Sequence, residues 1–236
     1  MNQFFYSTEI FDNFIVLPKE EAHHAIKVLR KKVGDQIFIV DGLGSKYRAE
    51  FENESLKNCK LKIIKKYECY GGSRLNIHIA ISPPKSHDRL EWFIEKSVEI
   101  GISEISLIQT ANSERKQVKY YRMRKYAISA MKQSLKAYLP IINEMKTIES
   151  FLLECKNKQK FIAHLNENKI NDLLYNCVSK KSDCCVLIGP EGDFNSLELN
   201  NANEHGFKTV TLGPSRLRTE TAGLVACHII NLANQK

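Results

Sequence analysis

Two glycine-proline loops near the end of the chain contain the side chains whose types and spacing could do chemistry. The first reads GPEGD over 189–193, and the second reads GPSRLRTE over 213–220. A Gly-Pro pair sets a fixed turn and leaves backbone N–H and C=O groups exposed, so such loops can bind a purine through backbone hydrogen bonds. Neither loop matches the GxGxxG or GxxxxGK(S/T) pattern, which disfavours a Rossmann dinucleotide site and a P-loop.

Either loop alone could be a tight turn with stray charges. In the second loop, however, Arg216, Arg218 and Glu220 crowd the start of a predicted helix. Two loops of this kind in one chain therefore favour a binding site over two unrelated turns.

The segments around these loops predict an open α/β sheet that would position them. Strands are predicted over 75–81, 105–108, 161–165, 184–188 and 208–212. The run CCVLI at 184–188 is typical of a strand buried on both faces. Because strands alternate with helices, we expect a ligand site at the carboxyl ends of the strands, where both loops begin.

Helices are predicted over 88–100, 121–139, 195–205 and 219–233. Asn195 and Glu198 have the spacing of a capping box, and Thr219 is a candidate N-cap. Trp92 lies among apolar residues of the first of these helices, so we expect it to pack in the core.

The first seventy residues have a different pattern of predicted elements. Short strand-like runs (QFFYS, FIVL, DQIFIVDG, YRAEF and CKLKIIKKYEC) alternate with turn signals, and one helical stretch over 20–32 interrupts them. This pattern predicts a small antiparallel barrel, followed by a linker at 68–74.

Positive charge is concentrated in the middle of the chain. The whole chain has 35 Lys and Arg against 27 Asp and Glu, a net charge of +8. Residues 110–140 hold eight basic residues and one acidic residue, with Tyr120, Tyr121 and Tyr126 interleaved. Lys and Arg neutralise phosphates and aromatic rings stack on unpaired bases, so this segment predicts RNA binding; the competing interpretation is a solvated basic helix face.

Composition excludes several classes of protein. A chain of 236 residues forms one large or two modest domains. It has no apolar run near the ~18 residues of a membrane-spanning helix and no secretory signal, so we expect no membrane contact. Seven cysteines without a CxxC pattern predict reduced, mostly structural thiols in the cytoplasm, with no metal site.

Motifs in order over most of the chain resemble one family. They are the opening MNQFF, then HHAIKVLRKKVGDQIFIVDGLG, DRLEWFIEKSVEIGISEI followed by NSERK, MKQSLKAYLP, IGPEGDF and LGPSRLRTETA. GPEG followed by LRTETA is highly specific. The chain resembles the uridine-N3 methyltransferases of small-subunit ribosomal RNA (the RsmE type) of the SPOUT superfamily.

This resemblance implies the fold, the cofactor and the partners. It implies a PUA-like, RNA-binding antiparallel β-barrel at 1–72 and a SPOUT α/β methyltransferase domain with a deep trefoil knot at 73–236. It also implies a homodimer that uses S-adenosyl-L-methionine to methylate N3 of a uridine in 16S ribosomal RNA of the small subunit. The chain departs from the family pattern at Asp193, where a glycine is usual, at Ser215-Arg216, and at Lys136, where an arginine is usual.

Candidate site residues follow from the loops and the resemblance together. Three are candidates for catalysis: Arg218 as donor to the developing negative charge, Glu220 as a possible proton acceptor or a helix-dipole cap, and Arg115 as an RNA ligand or a contributor to the partner's site. The residues expected to contact the cofactor are His164, Leu165, Ile188, Gly189, Pro190, Glu191, Gly192, Leu212, Gly213, Ser215, Arg216, Leu217, Arg218, Thr219 and Ala222. Those expected to bind RNA are Arg30, Lys31, Lys46, Arg115, Lys116, Arg122, Arg124 and Lys136.

Two other functions stay open at this point. One is a SPOUT methyltransferase with a different substrate, such as the ribose of transfer RNA. The other is a non-catalytic RNA-binding or ribosome-assembly factor, which would bind RNA in a salt-dependent manner without binding the cofactor.

Overall fold

The computed structural model describes residues 3–71, 75–165 and 172–235. The chain divides into two compact units. The first contains residues 1–73 together with 128–139, and the second contains 74–127 together with 140–236. Within the described ranges, no helix is both long and apolar enough to cross a lipid bilayer.

The first unit is built on a five-stranded sheet. Its elements are β1 (Phe4–Tyr6), β2 (Phe14–Leu17), α1 (Lys19–His23), β3 (Gln36–Val40), β4 (Lys46–Phe51) and β5 (Cys59–Tyr67). The strand order is β1-β3-β4-β5-β2. Alternating burial along β4 turns Tyr47, Ala49 and Phe51 toward an apolar core.

One pair in this sheet corrects the prediction of an antiparallel barrel. β2, β3, β4 and β5 pair antiparallel, but β1 pairs with β3 in parallel. The chain between β1 and β3 is long enough for the crossover that parallel pairing requires, and it carries α1. The helical stretch predicted over 20–32 is also shorter: after α1 it continues as a π-helical turn (His24–Val28), and Arg30 leaves it with a φ of 56°.

The segment 128–139 belongs to the first unit because it is bonded to the loop after β3. The Leu139 N–H donates to the Gly42 carbonyl at 2.8 Å, and the Gly44 N–H donates to the Ala137 carbonyl at 3.0 Å. Gly44 has a φ of 107°, and the Tyr138 ring fills the space that a Cβ would need.

The helix predicted over 121–139 therefore ends earlier than expected. α3 spans Tyr120–Gln133. The Ser134 hydroxyl donates to the Ala130 carbonyl at 2.7 Å, and Leu135 takes a φ of 55°, so the backbone turns out of the helix there.

The second unit is a six-stranded parallel sheet with helices. Its strands are β6 (Ile77–Ile81), β7 (Glu104–Gln109), β8 (Ile141–Thr147), β9 (Gln159–Ala163), β10 (Cys184–Ile188) and β11 (Lys208–Val210), in the order β11-β9-β10-β6-β7-β8. Its helices are α2 (His87–Ile100), the first part of α3, α4 (Ile148–Glu154), α5 (Leu174–Cys177), α6 (Ser196–Glu204) and α7 (Thr219–Asn234). The open α/β sheet that the sequence predicts is confirmed, with all its strands parallel; β8, α4 and α5 have no counterpart in the prediction.

Burial explains which predictions about this unit are confirmed and which is wrong. β6 and β10 are buried along their whole length, as expected for 184–188. α2 packs against α7, where Gly223 lets the Phe93 ring approach so closely that a Cβ would lie 2.7 Å from it. The prediction for Trp92 is wrong: its side chain is 41% exposed because it lies off the stripe formed by Leu90, Phe93, Ile94 and Val98.

A chain of polar side chains crosses the sheet near the start of β6. His78 is 4% exposed, and its ring nitrogens contact Asn157 Oδ1 at 3.2 Å and Ser106 Oγ at 2.8 Å. The Asn143 amide donates to Ser106 Oγ at 2.9 Å and to Glu104 at 2.7 Å. Burial lowers the pKa of His78, although Glu104 and Asn157 oppose that shift, so the folded protein holds a neutral ring.

This buried ring predicts a pH-dependent stability. Below the ordinary His pKa of 6.5 the unfolded chain binds a proton that the folded chain does not. The free energy of unfolding therefore decreases as the pH is lowered below 6.5. We expect a slope of up to ~1.4 kcal/mol per pH unit from this group as the pH falls below about 6.5. In His78→Gln the slope measured by urea unfolding decreases, whereas in His23→Gln, at an exposed histidine of α1, it does not. Equal slopes in the wild type and His78→Gln would contradict this assignment.

Candidate active site

The chain that follows β9, β10 and β11 surrounds one cavity of about 620 Å³. β10 and β11 both pair with β9 in parallel, so the three strands end at the same edge of the sheet. The volume lies within the ~300–1,000 Å³ that small-molecule sites occupy. Its lining residues are Arg89, Ala163, His164, Leu165, Ile188, Gly189, Pro190, Glu191, Asp193, Thr211, Leu212, Gly213, Ser215, Arg216, Leu217, Arg218, Thr219 and Ala222.

The residues predicted to contact a cofactor are brought together here, with one exception. Gly192 faces away from the cavity: its carbonyl accepts a hydrogen bond from the Asn112 side chain at 3.1 Å, and a Cβ on it would press against Asn112. Asn112 also donates to the Asp193 carbonyl at 3.0 Å. A side chain at this position would have to displace Asn112, because the loop after β7 packs on the backbone of Gly192.

Hydrogen bonds join the two glycine-proline loops, among them one from the Arg216 guanidinium to the Glu191 carbonyl at 3.5 Å. The Thr219 hydroxyl donates to the Gly189 carbonyl at 3.0 Å, and Thr219 is 4% exposed. The prediction of Thr219 as N-cap is therefore wrong: the N-cap position is Arg218, without a side-chain cap, and Thr219 is the first residue of α7. The capping box of Asn195 and Glu198 is confirmed at α6.

Asp193 has a backbone conformation that favours glycine. Its φ of 59° lies in the left-handed region that favours glycine, and its carboxylate accepts the Phe194 N–H at 2.8 Å. The other carboxylate oxygen lies 2.9 Å from His164 Nδ1, and both residues line the cavity. The side chain thus offsets backbone strain with two contacts that a glycine cannot make.

Arginines and carboxylates meet at the cavity wall. Arg218 is exposed and lines the cavity, whereas Glu220 is 5% exposed and lies behind the wall. Arg89 Nε is 3.7 Å from Glu220 Oε1, and Glu220 Oε2 has no hydrogen-bond partner among the described residues. A carboxylate in the first turn of α7 is also favoured by the helix dipole. The geometry favours Glu220 as a positioning residue for Arg89; its role as a proton acceptor stays a prediction.

Arg115 anchors backbone rather than lining the cavity. Its guanidinium donates to the Pro84 carbonyl at 3.2 Å and to the Lys85 carbonyl, and it contacts the His87 ring. Two positions earlier, the Ser113 hydroxyl lies 2.8 Å from Ser82 Oγ. The NSERK segment therefore ties together the loops after β6, β7 and β10, and the RNA and partner roles of Arg115 stay predictions.

The predicted RNA-binding residues differ in exposure. Lys116 and Arg124 are exposed, and Lys116 follows β7 on the same edge as the cavity. Arg122 is paired with Glu91: burial of that carboxyl opposes its ionisation, but hydrogen bonds from Tyr126 and Arg122 lower its pKa. Arg30 is exposed, and Lys31 and Lys136 are half-buried.

The ammonium group of Lys46, in the first unit, lies among aromatic rings. Its ammonium lies 3.6 Å from the ring centroid of Tyr70, 4.7 Å from that of Tyr67 and 5.1 Å from that of Phe38. All three rings are half-buried. A cation set among rings on the face of a sheet suits contact with both phosphate and bases.

Sequence reasoning missed Arg89, Ala163 and Thr211 as cavity residues. Ala163 and Thr211 are adjacent in the chain to predicted residues, so including the last residue of each strand in the prediction would have identified them. Arg89 lies about a hundred residues earlier on α2, and only the tertiary contact with Glu220 brings it to the cavity.

Two family models match this chain. One, described as an RNA methyltransferase domain, matches residues 72–231, and the other, described as an RNA methyltransferase PUA domain, matches residues 17–64. Ribosomal RNA small subunit methyltransferase E of Buchnera aphidicola subsp. Acyrthosiphon pisum is 30% identical over 222 residues, which cover 91% of this chain and 86% of the relative.

Solved structures of rRNA methyltransferases are also similar to this chain. A probable rRNA-methyltransferase from Porphyromonas gingivalis has a TM-score of 0.91 and 39% identity, covering 99% of this chain and 98% of the other. Ribosomal RNA small subunit methyltransferase E from Neisseria gonorrhoeae, bound to S-adenosyl methionine, has a TM-score of 0.87 and 26% identity, with the same coverage.

The bond between the loops predicts a stability effect. Thr219→Val removes the hydroxyl and leaves the Gly189 carbonyl without its donor, which lowers the free energy of unfolding by ~1–3 kcal/mol in urea titrations. Thr219→Ser keeps a donor and loses only a methyl group, so its loss should be clearly smaller. Equal losses in the two variants would contradict the assignment of the effect to the hydroxyl.

Proposed function

Because the chain belongs to the RNA methyltransferase family that includes ribosomal RNA small subunit methyltransferase E, we propose that it methylates N3 of a uridine in 16S ribosomal RNA, using S-adenosyl-L-methionine. The observation that carries this proposal is the cavity at the carboxyl edge, which both glycine-proline loops line. A relative of the same fold is bound to S-adenosyl methionine.

The cavity suits a cationic nucleoside cofactor. Glu191 and Asp193 place carboxylates at its wall, where a sulfonium or ammonium group is favoured, and the Gly189 to Pro190 turn presents backbone rather than side chains. When bound, S-adenosyl-L-methionine supplies an electrophilic methyl group. Gly213, with a φ of 140°, is held by its bonds with the Thr211 hydroxyl, which keeps the second loop open toward the cavity.

Arg218 is the residue to which we assign charge stabilisation. Uracil N3 carries a proton at neutral pH, and its removal spreads negative charge onto the two flanking carbonyl oxygens. An arginine keeps its charge at all relevant pH values and can donate to both oxygens. Arg218 is exposed at the cavity wall, where a flipped or unpaired base would enter.

RNA reaches the cavity across the loop after β7. Asn112 bonds this loop to the backbone of Gly192 and Asp193, and Lys116 follows it exposed on the same edge. In the first unit, Lys46 and its rings offer a second RNA contact. We assign RNA binding to a PUA-like domain at 1–72, to which residues 128–139 are bonded, and methyl transfer to the remainder of 73–236.

The trefoil knot and the homodimer are part of the same proposal. Resemblance to the SPOUT superfamily implies both, and the exposed Trp92 on α2 supplies apolar surface for a subunit interface. Light scattering of the purified protein tests the dimer.

Arg218→Ala tests the mechanism. We expect S-adenosyl-L-methionine to bind the wild type in calorimetry, and the variant to bind it within a few-fold while methyl transfer falls by ~100- to 1,000-fold. Arg218→Lys recovers part of the rate, because it keeps the charge without the planar fork. Lys208→Ala, at an exposed ion pair with Asp172, is the matched control and should stay active. Full activity of Arg218→Ala would remove it from the mechanism.

Substrate identity is tested by mapping the methylated nucleotide after incubation with small ribosomal subunits, free 16S RNA or transfer RNA. Methylated N3 of a uridine in 16S RNA supports the proposal. A methylated ribose in transfer RNA would assign the alternative substrate. RNA binding without cofactor binding would assign a non-catalytic factor.

Lys116 tests the path of the RNA. Lys116→Ala should weaken RNA binding and lower the slope of log affinity against log salt by about 1, because one phosphate contact is lost. Lys158→Ala, an exposed lysine before β9 at the opposite edge of the sheet, should leave the slope unchanged. The same slope for both variants would place the RNA elsewhere.

A further inference from the structure

One arginine at the candidate active site has no part in the mechanism proposed above. Arg89 lies in the first turn of α2 and, among the described residues, is the only one of that helix that lines the cavity. Its Nε is 3.7 Å from Glu220 Oε1, which is an ion-pair distance and longer than a hydrogen bond. Its guanidinium makes no hydrogen bond to any other described residue. The N–H groups of Arg89 are therefore available to a ligand in the cavity.

The buried carboxylate of Glu220 holds Arg89 at this wall. Glu220 is 5% exposed, and its Oε2 atom is buried without a hydrogen-bond partner in the described part of the chain. A buried carboxylate is costly unless a cation lies beside it, and among the described residues that cation is Arg89. Glu220 belongs to the first turn of α7, which packs against α2, so the ion pair joins the starts of two packed helices.

Acidic and basic side chains line different parts of this cavity. Glu191 and Asp193 both belong to the loop after β10, whereas Arg89 comes from α2. A ligand with an ammonium group and a carboxylate on one tail suits this separation, because each group meets the opposite charge. The amino-acid part of S-adenosyl-L-methionine is such a tail.

Arg89 also differs from the two other arginines of the cavity. Arg216 and Arg218 are exposed, and the Arg216 guanidinium already donates to the Glu191 carbonyl. Arg89 is half-buried, so solvent screens its charge less than theirs. A planar guanidinium donates two parallel hydrogen bonds to a carboxylate, and such charge-assisted bonds are strong. These properties favour a tightly held carboxylate at Arg89.

We propose that Arg89 binds the carboxylate of the amino-acid part of S-adenosyl-L-methionine, and that Glu220 is a positioning residue that holds the guanidinium in place. This inference rests on the cofactor proposed above. Thr219 and Ala222 of α7 line the same cavity, whereas the RNA path assigned above crosses the loop after β7. The position of Arg89 therefore favours the carboxylate of the cofactor over a phosphate of the RNA.

The first test compares two ligands by calorimetry: S-adenosyl-L-homocysteine and its decarboxylated analogue, which keeps the ammonium group. Neither ligand carries a transferable methyl group, so only binding is measured. In the wild type we expect the analogue to bind ~10- to 100-fold more weakly, because a charge-assisted bond is lost. Arg89→Ala should weaken S-adenosyl-L-homocysteine by a similar factor and leave the affinity for the analogue nearly unchanged. Lys96→Ala, at an ion pair with Glu99 further along α2, is the matched control and should change neither affinity.

Three results would overturn the assignment of Arg89. Equal losses for the two ligands in Arg89→Ala would indicate a general disturbance of the cavity. Unchanged binding of S-adenosyl-L-homocysteine in this variant would exclude the carboxylate contact, and a lower salt slope of RNA binding would then assign the guanidinium to a phosphate. A wild type that binds both ligands equally would overturn the role of Arg89 alone, whereas a wild type that binds neither would overturn the proposed cofactor as well.

The second test measures the coupling between Arg89 and Glu220. Glu220→Gln should weaken S-adenosyl-L-homocysteine and not its analogue, because the guanidinium is no longer held. Added to Arg89→Ala, the same substitution should cause no further loss. The double variant also removes the buried charge together with its cation, so it gives the reading even if Arg89→Ala alone is unstable. Losses that add up in the double variant would overturn the positioning role of Glu220.

Discussion

The hydrogen bond from the Thr219 hydroxyl to the Gly189 carbonyl is the constraint on which the candidate site depends. It joins the end of one glycine-proline loop to the start of the other, and both are walls of the same cavity. A parallel sheet only brings strand ends to a common edge. Bonds between the loops decide whether that edge is a defined cavity or a set of independent turns.

Other side chains extend the same principle around the edge. Asn112 bonds to the backbone of the loop after β10, and Arg115 bonds to the backbone of the loop after β6. In each case a polar side chain donates to backbone carbonyl groups that have no partner in a neighbouring strand. The polar residues of the NSERK segment thus support the site from outside it, and the basic residue that follows them, Lys116, is placed at its margin.

The two edges of the six-stranded sheet have different chemistry. The carboxyl edge has loops with glycines, arginines and carboxylates around a cavity of about 620 Å³. The amino edge has a buried histidine and polar side chains around a smaller cavity. Strand β10 runs from one edge to the other, with Cys185 near its start and Ile188 at its end. The two cavities are therefore connected by one strand, although no described residue lines both of them.

The sequence by itself determined the local features: both loops, the strands before them, the capping box of α6 and the residue types at the cavity wall. These depend on neighbours within a few positions, and short patterns record them. Only the tertiary structure decided that Arg89 reaches the cavity, that 128–139 belongs to the first unit and that Trp92 is exposed. Each of these depends on a partner distant in the chain, and a residue type shows what chemistry a side chain can do but not which distant group it will meet.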